Sequence, residues 1–455
     1  MTSIIDPIYG GLPHGWRYVT LGQLVADGDA DLQTGPFGTM LHASAYRQHG
    51  TPVVAVQHIG DNRLRHDDLP RIDDADRDRL ERYLLHDGDI LFGRKGAVER
   101  RAIVTEEEDG WLQGSDCIRI RFNPAVVDPW YISYVLGAQP YREWIVRNAQ
   151  GATMPSLNQE IIGRIPVPFA PLTEQRAIAA ICCAFEARIH LNRRANETLE
   201  SIPRAIFKSW FVDFDPARAK AEGRQPAGMD TETARLFPTA WRASSVGPIP
   251  AGWQVAEIRE RASRIQYGFT QSASAEPVGP HFLRITDIQG GKVDWSTVPF
   301  CRASPNECEK YHICPGDILV ARTGASTGEN VYIVGLPDAL FASYLVRFQF
   351  EQRSIARVVA EFMRTEDYFG YVAGVLGGSA QPNASGQVLA GAELAFPPTA
   401  IADAFLRFVD PLDRARMANS AQASTLASVR DALLPKLLSG ELRIRDAEKM
   451  VEAHV

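Results

Sequence analysis

Gly93-Arg94-Lys95-Gly96, followed by Arg100 and Arg101, sets a forked guanidinium and an ammonium in a glycine-flanked turn, and Arg322-Thr323-Gly324 repeats the arrangement 228 positions later. Arginine or lysine in such a turn can hold a phosphate or the acceptor edge of guanine, and glycine lets the backbone approach a polymer closely. A solvated turn is the plain alternative; recurrence in two copies favours function. A second pair, Thr34-Gly35-Pro36-Phe37-Gly38 and Gln266-Tyr267-Gly268-Phe269-Thr270, adds aromatics that more often belong to a core than to a stacking platform. Gln57 and His58, with Arg284, Thr286 and Asp287, lie at the ends of early strands. Thr153, Ser156 and Asn158, with Gln381 and Asn383, lie in polar loops. Amides and hydroxyls of this kind can read adenine or thymine edges.

No constellation for catalysis accompanies them. Asp128-Pro129-Trp130-Tyr131 comes nearest, resembling the Asp/Asn-Pro-Pro-aromatic loop of amino-methylating DNA methyltransferases. Its second proline is missing, no glycine-rich cofactor loop precedes it, and the second copy has Gln352-Arg353-Ser354, so a capped helix start is the better reading. The run Thr323 to Glu329 lacks the lysine of a nucleotide-phosphate loop, and neither H-E-x-x-H nor G-x-S-x-G occurs. Six cysteines without a C-x-x-C pair are expected to be reduced thiols, and Cys308, His312 and Cys314 lack a second ligand pair for zinc. The net charge of −7 argues mildly against nucleic acid, yet it sums all faces of the molecule and leaves room for a basic one.

The elements that must position these residues occur twice. Leu172 to Phe211 reads as one long helix with two seven-residue series, Ile178, Phe185, Asn192, Leu199, Ile206 and Ile181, Arg188, Ala195, Ile202, Ser209. Adding 227 gives Phe405, Leu412, Asn419, Leu426, Leu433 and Phe408, Ala415, Gln422, Val429, Lys436. A lone seam would leave apolar surface in water, so the two copies are expected to pack on each other, with Pro203 kinking the first helix; an antiparallel alignment would bring Asn192 and Asn419 together near the middle. Upstream, Val53–Ile59 and Phe282–Ile288 are expected as buried strands, and Asp128 to Trp144 and Ser354 to Tyr371 as helices. With 455 residues, two to four domains are expected. The boundaries read as domain 1 over 1–171, first helix 172–212, a linker over 213–248 with a short helix near Thr231 to Leu236, domain 2 over 249–398, second helix 399–442 and a tail over 443–455. The start has no signal-peptide pattern and no run approaches the roughly 18 apolar residues of a membrane span, so a cytoplasmic protein is expected.

The P-x-G-W openings at 13–16 and 250–253, the Gly-Asp-Ile-Leu turns at 88–91 and 316–319, Pro-Leu-Thr-Glu-Gln-Arg at 171–176 and Leu-Leu-Ser-Gly-Glu-Leu at 437–442 resemble, in order and spacing over nearly the whole chain, the specificity subunit of type I restriction-modification systems. The resemblance implies an α/β (α+β) fold: two pseudo-symmetric target recognition domains separated by two long antiparallel coiled-coil helices, each domain reading half of a split duplex DNA sequence. It implies two methylation subunits and motor/nuclease restriction subunits as partners. S-adenosylmethionine, ATP and Mg belong to those partners, and no cofactor to this chain. Pro398-Thr399-Ala400-Ile401-Ala402 departs from the first copy's Leu-Thr-Glu-Gln-Arg, so a methylation subunit held by those residues is held differently in the second. Divergent turns, Arg94-Lys95 against Arg322-Thr323, predict an asymmetric bipartite site. A self-contained DNA adenine methyltransferase and an adaptor that reads no sequence are the alternatives.

Overall fold

A computed structural model describes residues 8, 11–37, 40–151, 154–335, 337–377 and 383–454. They form two compact units, one built from 1–192 with 422–455, the other from 193–421. Each unit therefore holds one domain, half of one long helix and half of the other.

Within each domain the chain closes on itself. Arg17–Thr20 pairs antiparallel with Pro166–Phe169, and Gln254–Glu257 with Glu393–Phe396, so the first strand of each domain lies against the last. The central sheet has one register in both. Cys117–Phe122 runs between Ala30–Thr34 and Ile90–Gly93, and Leu345–Gln349 between Arg264–Tyr267 and Ile318–Ala321. Because strand side chains alternate, Ile118 and Ile120 enter the core beneath the first sheet while Arg119 and Arg121 take its other face. Val346 and Phe348 repeat this around Arg347.

The Gly-Asp-Ile-Leu turns are held by their buried aspartates. Asp89 accepts the His86 N–H at 2.8 Å and pairs with Arg121 at 2.7 Å; Asp317 accepts the Cys314 N–H at 2.9 Å and a bond from Gln349 at 2.8 Å. The glycine before each sits at positive φ, 85° at Gly88 and 95° at Gly316, where a Cβ would be strained.

Several expectations change. The run at 53–59 is a strand only over Thr51–Val54 and then a 3-10 turn, Val56–His58; in the second domain His281–Leu283 precedes the turn Ile285–Asp287. The cause is a side-chain cap. His58 Nδ1 accepts the Ala55 N–H at 2.9 Å, and Asp287 accepts the Arg284 N–H at 2.8 Å, removing those donors from a ladder. The helix expected from Asp128 to Trp144 is two, Pro129–Gly137 and Gln139–Asn148, broken at extended Ala138 two residues before Pro140, which has no N–H to continue the first helix's ladder. Its counterpart is Arg353–Phe362 and Glu366–Leu376, the latter capped by Thr365. Residues 213–248 are no loose linker: Asp215–Ala221 is a further helix, and Phe214, Ala217 and Phe237 join the core of the second unit with Trp210, Trp253 and Phe405. The tail is a helix, Ile444–His454, whose Ala447 is buried in the first unit.

The long helices run over Leu172–Phe207, ending in a π turn at Lys208–Val212, and over Thr399–Leu438. Pro203 lies inside the first and is buried; the second carries Pro411 and Pro435 instead. In both units their halves pair antiparallel: Glu186 forms an ion pair with Arg430 in the first unit, and Phe211 meets Phe405 edge-on at 5.0 Å in the second. Ile178, Ile181, Phe185, Asn192, Phe405, Leu426 and Leu433 are buried, and Leu199, Ile206, Leu412, Asn419 and Val429 half-buried. Ile202 at 36% and Phe408 at 38% exposure leave the seam, which passes through their neighbours Pro203 and Val409. A helix of 3.6 residues per turn drifts about 20° per heptad from a strict seven-residue repeat, so the buried stripe moves on by one position. Within the first unit Asn192 donates to Gln422 at 3.0 Å, and within the second Asn419 donates to Asn196 at 3.1 Å.

The start of the first long helix is locked by side chains. Fully buried Gln175 accepts the Asp128 N–H at 2.9 Å and donates to Ala170 O at 2.8 Å, and Glu174 accepts the Trp16 indole N–H at 3.1 Å. Gln175→Leu strands two buried backbone groups and should cost about 2 kcal/mol, read as a lowered urea midpoint of the first unit. His58 gives a second expectation. Burial holds its imidazole below the ordinary 6.5, against the pull of a backbone hydrogen bond with Asp68 and the charges of Asp67 and Asp68. The unfolded chain then binds the proton more readily, so stability is fully present above 6.5 and declines as pH falls through the depressed native value. His58→Asp, borrowing the second domain's cap, should abolish that decline in pH-dependent thermal unfolding.

Candidate nucleic-acid interface

Three segments converge at one end of each central sheet. The first is the edge strand, ending at Thr34 or Tyr267, which sit opposite Ile118 and Val346. The next residue is glycine by necessity. A Cβ on Gly35 would stand 1.9 Å from Gly114 O, and one on Gly268 2.2 Å from Ala342 O. The second segment is the arginine turn, where the Arg94 N–H donates to Asp116 O at 2.8 Å and the Arg322 N–H to Tyr344 O at 3.0 Å. The third is the loop before the long helix. Leu157 N–H donates to Arg94 O, and Ala384 N–H to Arg322 O, both at 2.9 Å. Lys95 bridges to Ser156 and Thr323 to Asn383 beside these bonds.

This convergence brings together two features that sequence set apart. Arg94 lies over the Phe37 ring at 4.8 Å, and Arg322 over the Tyr267 ring at 5.0 Å. Neither ring belongs to a core: Phe37 is 50% and Tyr267 43% exposed. A guanidinium over a ring face is attracted by the ring's negative quadrupole. Arg322 also donates to Asn383 Oδ1 at 3.0 Å. The edge strand is tied to the loop in both domains, by Gln159 to Thr34 Oγ1 at 2.9 Å and by the Gly386 N–H to Tyr267 OH at 3.0 Å.

The other candidate residues divide. Lys95, Arg100, Gln57, Thr270, Thr286 and Asn383 are exposed, and Ser156 and Thr323 half-buried. Arg284 is clamped on Asp287 through 2.7 and 3.0 Å bonds, though its side chain stays 41% exposed. Arg101 is a correction: it is 3% exposed, donates to Ser133 O at 2.6 Å and pairs with Asp61, and burial pulls its pKa down to about 10. It holds the core and has no face for DNA. His58 and Asp287 are turn caps, and Asn158 caps a helix by accepting the Ile161 N–H at 2.8 Å. Short polar side chains at such positions satisfy backbone donors first. Thr153 and Gln381 lie outside the described residues.

Sequence reasoning overlooked Gln33, Arg82, Arg121 and Gln159, which gather around Arg119. Arg119 and Arg347 stand at the common offset, each within a strand that buries it to 2% and 3% exposure. An arginine alternating with isoleucines and repeated in both copies was the available signal.

The family model described as type I restriction modification DNA specificity domain matches residues 37–201. The type I restriction enzyme HindI specificity subunit of Haemophilus influenzae is 23% identical over 409 residues, covering 78% of this chain and 86% of that protein. The MjaVIII specificity subunit of Methanocaldococcus jannaschii is 22% identical over 368 residues, covering 79% and 77%. In fold, the chain is similar to the crystal structure of a type-I restriction-modification system S subunit from M. genitalium, with a TM-score of 0.55 and 15% identity over 95% of this chain and 99% of that one. The chain is thus similar to type I restriction-modification specificity subunits along most of its length and carries a match to their DNA specificity domain across the first arginine turn.

Proposed function

We propose that this chain reads an asymmetric bipartite DNA target, each domain presenting its stacked arginine to one major-groove segment. The carrying observation is the duplicated pair, Arg94 over exposed Phe37 and Arg322 over exposed Tyr267, each tied by the backbone to the loop that leads into the last strand of its domain. An arginine can meet guanine O6 and N7 through two bonds, the commonest specific contact in the major groove. The two sites differ in their neighbours: Lys95 and Ser156 flank Arg94, whereas Thr323 and Asn383 flank Arg322. That supports two unlike half-sites.

In this reading the chain is non-catalytic and acts in the cytoplasm, where no described helix is long and apolar enough to cross a membrane. Two methylation subunits dock on it and bring S-adenosylmethionine, whose methyl group would pass to the amino nitrogen of an adenine flipped out of the duplex with S-adenosylhomocysteine leaving, and restriction subunits bring ATP and Mg. The Glu174 and Gln175 bonds give the Leu-Thr-Glu-Gln-Arg run a structural role, leaving Arg176, which is exposed, as its best candidate for a partner.

Co-expression with the neighbouring methylation subunits, followed by genome-wide mapping of methylated adenine, tests this. A split motif with a fixed gap is the expected result; methylation with no sequence preference would leave only an adaptor. Arg94→Ala should relax one half-site by about 1–3 kcal/mol of base discrimination, and Arg322→Ala the other. Equal loss at both halves from either change would assign these arginines to folding. Binding of S-adenosylmethionine by the purified chain alone would point instead to a self-contained methyltransferase.

A further inference from the structure

The first domain holds a cleft of about 690 Å³ beside its edge strand, lined by Asp31, Gln33, Arg82, Arg119, Arg121 and Gln159 among others. Arg119, 2% exposed, lies against it; Nη2 is paired with Asp31, while Nε and Nη1 have no hydrogen-bond partner among the described residues. Arg121, 34% exposed, is neutralised by buried Asp89, and Arg82 stands exposed over the Tyr83 ring at 4.7 Å. Three guanidinium groups thus meet two carboxylates, and one of these, Asp31, is 65% exposed and free to swing into solvent.

The second domain has the same arginine with its Nη donors engaged by the protein. Arg347 donates to His312 O at 2.7 Å and Lys310 O at 3.2 Å and pairs with Gln266 Oε1, while Gln266 itself donates to Lys310 O at 3.1 Å. In the first domain the carbonyl equivalent to His312 O is Leu84 O, and Arg121, not Arg119, takes it at 3.0 Å. At the position of Arg121 the second domain has Gln349, bonded to Asp317. One substitution therefore redistributes the donors: where Arg121 occupies the carbonyl, Arg119 is left short of acceptors.

We infer that this cleft is a phosphate-binding site of the first domain alone, in which an oxyanion displaces Asp31 from Arg119 and is held also by Arg82. An oxyanion is the chemistry that satisfies a buried guanidinium with spare donors. The inference rests on the DNA reading above for its most direct source, a phosphodiester of the bound duplex; a free phosphate is the other.

The test measures target-duplex affinity of the full chain in complex with its methylation subunits across a KCl series. Arg82→Gln should weaken specific and unrelated duplexes alike and reduce the slope of log K against log salt by about 1. Lys310→Gln, the equivalent change in the second domain, should leave the slope as it is. Asp31→Asn, at an exposed position, should tighten binding by removing the competing carboxylate. An unchanged slope for Arg82→Gln, an equal drop for Lys310→Gln, or no gain from Asp31→Asn each overturns the site. Calorimetric titration of the DNA-free complex with inorganic phosphate separates the sources: saturable binding lost in Arg82→Gln indicates a free anion, and its absence alongside the slope change indicates the duplex backbone. Loss of sequence preference in the unsubstituted complex would refute the reading above and leave the slope comparison intact.

Discussion

One backbone hydrogen bond in each domain, Leu157 N–H to Arg94 O and Ala384 N–H to Arg322 O, joins the arginine turn to the chain just ahead of the long helix. Much else follows from it. It places the turn against the edge strand, where the close approach of Gly35 to Gly114 O, and of Gly268 to Ala342 O, lets the aromatic residue reach the guanidinium. From there the first domain's chain passes through the short helix Gln159–Gly163 and the strand Pro166–Phe169 to the long helix, whose first turn buried Gln175 holds.

The sequence made the repeat legible because its offset is nearly constant, and a constant offset exposes elements even where identity is slight. Strands, turns and long helices could be placed in this way. The failures share a cause: side chains that satisfy the backbone look like side chains available to a ligand. His58, Asp287 and Asn158 are polar residues at element ends, the profile of base readers, and each spends its acceptor on an N–H. Arg101 sits among exposed basic residues in sequence, yet strand alternation turns it inward onto Ser133 O. The slip of the helical seam from Ile202 to Pro203 is likewise invisible to a strict seven-residue count. Phe37 and Tyr267 are candidates for contact in a class of residue that is more often core, and the arginine that each one faces, distant in sequence, is visible only in the fold.

The two domains are copies that have diverged where copies can afford to. Trp16 gives its indole N–H to Glu174, whereas Trp253, at the repeated position, is 1% exposed with its nitrogen unpartnered among the described residues. Leaving such a donor unmet is unfavourable by about 1–3 kcal/mol, and the second domain surrounds it with Phe211 and Phe214, at 5.7 and 5.1 Å between rings, where apolar packing compensates. The first domain solves the same position with a hydrogen bond, the second with aromatic contact. Equal folds are thus held by unequal interactions.

The division of the chain into 1–192 with 422–455 and 193–421 has a consequence for inheritance. The second unit is one uninterrupted stretch of sequence set inside the first. A recombination event bounded near codons 193 and 421 can exchange it whole, carrying its arginine turn, its aromatic partner and both of its helix halves together. The first unit cannot be exchanged by any single internal segment, because its core includes Leu426, Leu433 and Ala447 from the far end of the chain. Variation by segment exchange is therefore structurally easier on one side of this molecule than on the other.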